Sequence, residues 1–161
     1  MEIIKLKENH PLIALELIKQ SFLPLLHKYN DIEYSPATKS LESLVAEISH
    51  PTSDTYLLQK DTDYIGYVRV NKRNPGEYSI SDLCIDPFHQ GHGHAQYFLN
   101  EIEGKYPDAR IWSLVTILEE KKDCYLYEKL GYNQMNVIKE INPEMHLVLY
   151  TKDIEDIKVS K

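Results

Sequence analysis

Ile80-Ser81-Asp82-Leu83-Cys84-Ile85-Asp86-Pro87-Phe88-His89-Gln90-Gly91-His92-Gly93-His94-Ala95 reads as a strand that runs into a glycine-punctuated turn and opens a helix. Alternation places Ser79, Ser81, Leu83 and Ile85 on one side of the extended segment and Ile80, Asp82 and Cys84 on the other. Asp86-Pro87 stops the strand, because proline lacks the amide that a ladder needs and biases the residue before it away from the helical region. Beyond Ala95, the residues Phe98, Leu99 and Ile102 form an apolar stripe at helical spacing.

The first amides of a helix have no intrahelical acceptor, and the positive end of the helix dipole lies behind them. The turn from Gln90 to Ala95 is therefore a candidate anion site, and glycine at 91 and 93 lets a diphosphate approach the backbone closely. Two familiar phosphate motifs do not fit. The dinucleotide fingerprint needs a third glycine after a first strand, whereas GHGHAQ lacks it and follows several strands. A P-loop needs Gly-Lys-Ser/Thr, which is absent.

Working outward, 161 residues with 42% hydrophobic content make one ordinary domain, taken as 1–161, with enough apolar residues for a core. A formal net charge of -7 and a pI near 5.5 argue against nucleic acid, whose binding draws on clustered Lys and Arg. Glu8, His10, Glu16 and Lys19 interrupt any signal-peptide core, and no apolar run approaches membrane-spanning length. Cys84 and Cys124 show no CxxC spacing, so neither a disulfide framework nor a zinc ribbon is expected, and the setting is read as cytoplasmic.

In chain order, Glu2 to Lys7 reads as a first strand, and Pro11 to Tyr29 as a helix with Leu12, Leu15, Ile18 and Phe22 in register, ended or kinked by Pro24. Asn30 to Lys39 is polar and turn-rich, a loop of the kind that carries acceptor specificity. A short helix follows from Ser40, with Leu41, Leu44, Val45 and Ile48 turned inward. Thr55 to Lys60, Tyr64 to Lys72 and Glu77 to Ile85 form a three-stranded meander. After the central helix, Arg110 to Ile117 is a strand apolar on both faces and hence central, with Trp112 in the core. Glu119 to Leu130 is a helix capped by Gly131. Tyr132 to Ile141 and Met145 to Lys152 pair as a closing hairpin, and the tail from Asp153 frays. The class is α/β (α+β): a twisted mixed sheet of about seven strands with about four helices covering both faces.

Gln90-x-x-Gly93-x-Ala95 resembles the acyl-CoA signature of the GNAT superfamily of N-acetyltransferases, Gln/Arg-x-x-Gly-x-Gly/Ala. Tyr127-Glu128-Lys129-Leu130-Gly131-Tyr132 resembles the same family's second signature, one strand later, and the element order over nearly the whole chain is that of the GNAT fold. The resemblance implies acetyl-CoA as co-substrate and an amine acceptor, with direct transfer in a ternary complex. CoA is then held by the backbone of Leu83, Cys84 and Ile85, by Gln90, Gly91, His92, Gly93, His94 and Ala95, and by Asp123 and Tyr127. Tyr127 is the implied general acid toward the departing sulfur, a role a phenol can fill. Asp82, or less directly Glu77, is the candidate base for the acceptor amine.

The chain departs from the family in places. Asparagine usually precedes the tyrosine on its helix, whereas here Asp123 stands four positions before Tyr127. Position 92 often holds Lys or Arg and position 94 an apolar residue, whereas both are histidine here. His89, His92 and His94 are strung along the turn rather than converging, so no metal is expected. Neither cysteine has a base partner in sequence, so a covalent acyl-enzyme is not expected. A non-catalytic acyl-CoA-binding or sensing module of the same fold is the alternative, and the chain is a monomer or a homodimer.

Overall fold

The alternating segments pair into one seven-stranded sheet in the computed structural model, which describes residues 1–7 and 9–154. The strands are β1 (Glu2–Leu6), β2 (Ser53–Lys60), β3 (Asp63–Lys72), β4 (Glu77–Ile85), β5 (Ile111–Ile117), β6 (Asn133–Asn142) and β7 (Met145–Asp153). The helices are α1 (Pro11–Tyr29), α2 (Leu41–Ser49), α3 (His94–Gly104) and α4 (Lys121–Lys129). The spatial order is β1-β2-β3-β4-β5-β7-β6, antiparallel throughout except for the parallel pair β4 and β5.

Two apolar layers sandwich the sheet. One packs Phe98, Leu99 and Ile102 of α3, with Cys124 and Tyr127 of α4, against Leu58, Val68, Val70, Trp112 and Val148. The other packs Ala14, Leu17 and Ile18 of α1, with Leu44 of α2, against Leu57, Tyr67 and Cys84. The predicted stripe on α3 and the core position of Trp112 are both observed. Gly131, at φ 96, takes the left-handed position that ends α4, as its place in the sequence predicts.

Several expectations are corrected. Helix α1 continues through Pro24 to Tyr29, where the left-handed Asn30 closes it by donating its amide to the Leu26 carbonyl at 2.7 Å. Proline removes one intrahelical bond, but the helix is held on both sides of it: Leu17 and Ile18 pack in the core, and Tyr29 is buried and donates its hydroxyl to Glu120. On α2 only the Leu44 and Ile48 line meets the core. Leu41 and Val45, at 38% and 42% exposure, form a neighbouring line rotated off the contact. Ile154, expected within a fraying tail, packs on the core and donates its amide to the Arg110 carbonyl at 2.8 Å, while the remainder of that tail, 155–161, lies outside the described residues.

The correction that matters for function lies in β4. Register with β3 runs Arg69 to Ser81 and then Tyr67 to Cys84, so Asp82 and Leu83 together face Val68. This is a bulge, and Asp82 sits at φ 56 within it. The extra residue breaks the strict alternation: Ile80 and Ile85 share one face, and Cys84 faces the other layer.

Candidate active site

β4 and β5 are paired only from Glu77 to Ile80 against Ile111 to Leu114. Past that point β4 bends at its bulge while β5 stays paired to β7 as far as Ile117 and Leu147. The parting strands open a cavity of about 230 Å³. Its walls are Asp82 and Leu83 of β4, Val115 to Ile117 of β5, Phe22, Leu25 and Leu26 of α1, and Met145 and Leu147 of β7. Asp123 and Tyr127 of α4 and the loop residues Asp31, Tyr34, Ser35 and Pro36 complete it. One side-chain cluster locks these walls together: Glu120, at the start of α4, accepts from Lys28 Nζ at 2.7 Å and from the Tyr29 hydroxyl. Asn142 Nδ2 donates to the Tyr29 carbonyl at 3.0 Å, tying the end of α1 to the β6–β7 turn.

Tyr127 is buried, with its ring held edge-on to Tyr132 at a centroid distance of 6.1 Å and tilted against Tyr150 at 6.2 Å. Its hydroxyl has no hydrogen-bond partner among the described residues. Burial, reinforced by the Asp123 carboxylate, pushes the phenol well above its ordinary value, so it is a proton donor at neutral pH. Asp123 lies one turn earlier on α4 and fronts the same cavity. Burial pushes its carboxyl up, and Glu120 adds to the effect.

Asp82 reaches the cavity from the bulge, and its carboxylate is held by Lys39. Lys39 Nζ also donates to Glu47 Oε2 at 2.9 Å, and Glu47 Oε1 lies 3.3 Å from Arg69. The four side chains alternate in sign and are mostly buried, which holds Asp82 in one orientation at the cavity wall. Glu77, the other carboxylate considered as a base, sits at the far start of β4, where it accepts from Asn74 Nδ2 at 3.0 Å.

The glycine turn has the form its sequence predicts. Gly91 and Gly93 adopt φ 83 and 77, a region that strains other residues, and the space where a Cβ would stand at either one is open. The first α3 bond runs from the Tyr97 amide to the Gly93 carbonyl at 3.1 Å, so the amides of His94, Ala95 and Gln96 have no intrahelical acceptor. An open cradle of free amides at a helix start has the donor chemistry that a diphosphate needs.

The remaining predicted residues divide into backbone and side-chain cases. The Gln90 side chain folds back to donate to the Ile85 carbonyl at 2.9 Å, bracing the turn. The Cys84 side chain points into the α1 layer, where burial pushes its thiol up to about 12, so it is no nucleophile. His94 is buried with Nε2 unpartnered. Its burial, and then Lys60, lower its pKa, whereas His92 is exposed and His89 pairs with Asp86 at 2.8 Å. Among the described residues no group of three His, Cys, Asp or Glu side chains converges as a metal site would require.

Sequence reasoning misses Asp31, Tyr34, Lys39 and Glu47. Three of them belong to the loop after α1, and the polar, turn-rich composition of that loop is the only signal available.

The comparisons with known proteins bear on the family and the fold. No curated protein matches the sequence. Among solved structures, the ribosomal-protein-S18-alanine N-acetyltransferase from Escherichia coli superposes with a TM-score of 0.78 at 13% identity, over 95% of this chain and 93% of that one. An acetyltransferase from Thermus thermophilus gives 0.73 at 18% identity, over 94% and 96%. A GNAT family acetyltransferase from Elizabethkingia anophelis with acetyl-CoA bound gives 0.69 at 15% identity, over 94% and 97%. These likenesses concern the fold. The family itself is shown by sequence, since the model of the acetyltransferase (GNAT) family matches residues 17–132, and the chain belongs to that family of acetyltransferase enzymes.

Proposed function

We propose that this acetyltransferase moves the acetyl group of acetyl-CoA to a primary amine by direct transfer, with both substrates bound at once. The observation that carries this reading is the position of Tyr127: a buried phenol, raised in pKa and without a hydrogen-bond partner among the described residues, on the wall of the cavity where β4 and β5 part. The amides after Gly93 would hold the diphosphate of CoA. The backbone of Leu83 to Ile85, beside the unpaired stretch of β5, would hold the pantetheine, with Asp123 and Tyr127 near its end.

The division of labour follows from the side chains. A protonated amine cannot attack, so a base must take its proton, and Asp82 is the carboxylate fixed at the cavity wall by Lys39. As the new carbon–nitrogen bond forms and the carbon–sulfur bond breaks, Tyr127 supplies a proton or a hydrogen bond to the departing sulfur. Buried Cys84, with its raised thiol, favours direct transfer over an acyl-cysteine route.

The test is thiol release from acetyl-CoA in the presence of a panel of primary amines, with the acetylated product confirmed by mass spectrometry. Amine-dependent release that falls about 100-fold in Tyr127→Phe supports the assignment. Acetyl-CoA binding without release for any amine identifies the chain as a CoA-binding module instead.

A further inference from the structure

The charge inventory of the cavity selects the acceptor. No lysine, arginine or histidine lines it among the described residues, but Asp31, Asp82 and Asp123 do. The charge of Asp82 is balanced by Lys39 from outside the lining, and those of the other two are not. Asp31 is only 6% exposed, and a single hydrogen bond is made to its carboxylate, from the Tyr34 amide to Oδ1 at 3.0 Å. Its Oδ2 has no partner among the described residues, and Asp123 has neither a hydrogen bond nor an ion pair there. A carboxylate as buried as Asp31 is normally paired with a cation, and Asp31 and the half-buried Asp123, neither with an ion pair among the described residues, call on the wall of one cavity for cations from the ligand.

Position separates the two. Asp123 stands beside Tyr127, at the reacting end. Asp31 also lines a second, more open recess of about 490 Å³ with Tyr29, Ile32, Glu33, Lys139 and Glu140, so it marks the junction between inner cavity and outer recess. Phe22, Leu25, Leu26 and Pro36 give the inner cavity an apolar lining that suits a hydrocarbon segment.

Resting on the acetyl-transfer reading, we propose that the acceptor is a small organic dication: a primary amine that reacts beside Tyr127 is joined through an apolar carbon chain to a second cationic group held by Asp31. The ammonium loses one proton to Asp82 before it attacks and a second as the carbon–sulfur bond breaks, which replaces the proton Tyr127 gives to the departing sulfur, so the nitrogen ends as the amide and CoA leaves as the free thiol. The second cation is unchanged by the reaction, so the product keeps one positive charge and leaves past Asp31.

The test compares α,ω-diaminoalkanes of three to six carbons with n-alkylamines and ω-amino carboxylates of matched length, at fixed acetyl-CoA. The wild-type chain is expected to show kcat/KM at least about ten-fold higher for its best diamine than for the matched monoamine, with the ω-amino carboxylates poorest. In Asp31→Asn, which keeps the oxygen that accepts from Tyr34, that ratio is expected to fall about ten-fold, through KM rather than kcat. A wild-type enzyme that acetylates monoamines as well as diamines overturns the dication assignment and leaves acetyl transfer standing. So does an Asp31→Asn enzyme with an unchanged ratio. Acetyl-CoA binding, measured by calorimetry, with no acetylation of any amine overturns both.

Discussion

Lys39 and Asp82, 43 residues apart in the chain, form an ion pair at the edge of the cavity, and Glu47 shares the same ammonium. Both partners of the pair are mostly buried, so the lysine does more than a surface bridge would. It cancels the charge of a carboxylate that the bulge has pushed into a left-handed conformation and fixes where that carboxylate points. Lys39→Met leaves Asp82 without a cation beside Glu47, which keeps only Arg69, and should destabilise the fold by about 3 kcal/mol. Asp82→Asn should cost less, because Lys39 keeps Glu47 as its counter-ion. Urea unfolding of both single variants and the double variant measures the pair directly, and the double is predicted to be more stable than the sum of the single losses implies.

Tyr127→Phe removes a hydroxyl that makes no hydrogen bond within the described residues, so it should change stability by less than about 1 kcal/mol while lowering kcat about 100-fold. The wild-type profile carries a second prediction. A phenol raised above its ordinary value stays protonated at higher pH than a free tyrosine, so kcat should show no loss of the acid form up to about pH 9. A basic limb near neutral pH that disappears in Tyr127→Phe would contradict the assignment.

His146 supplies the clearest pH signature in stability. Its Nδ1 lies 2.7 Å from Glu119 and its Nε2 3.0 Å from Glu140, contacts that raise its pKa. A raised histidine stabilises the fold fully below its ordinary value near 6.5, and that contribution is lost as the pH rises through the folded value. The Tm difference between the wild type and His146→Gln should therefore be largest near pH 6 and shrink toward pH 9. A difference independent of pH would remove the charged pair from the account. Because Met145 and Leu147 line the cavity on either side of His146, the same variant should also raise KM for the acceptor.

Much of the fold was legible in the sequence because it rests on local signals. The stripe Phe98, Leu99 and Ile102, the Gly91 and Gly93 turn, the Gly131 cap and the closing hairpin each follow from a few neighbouring residues. What escaped depends on partners distant in sequence. Nothing in Ile80 to Ile85 shows that Asp82 and Leu83 will share one β3 residue, because a bulge exists only relative to the neighbouring strand. Pro24 argues locally for a break, and the contacts that override it come from the sheet and from Glu120 at the start of α4. For the site, the two family-like motifs pointed to Tyr127, which lies on the cavity wall, and to the glycine turn, which is open at Gly91 and Gly93. Asp31, Lys39 and Glu47 stayed hidden because only the folded chain brings that loop and α2 against β4.

Central to the account is the placement of CoA on the glycine turn, and calorimetric titration with acetyl-CoA and desulfo-CoA tests it most directly. The wild type is measured beside Gly93→Glu, which sets a carboxylate in the cradle at a site with open space for it and a local strain of about 1 kcal/mol. The account predicts that the wild type binds both ligands and that the folded variant, checked by its thermal melt, binds neither. Equal affinity in the two proteins, or no binding by the wild type, would contradict it.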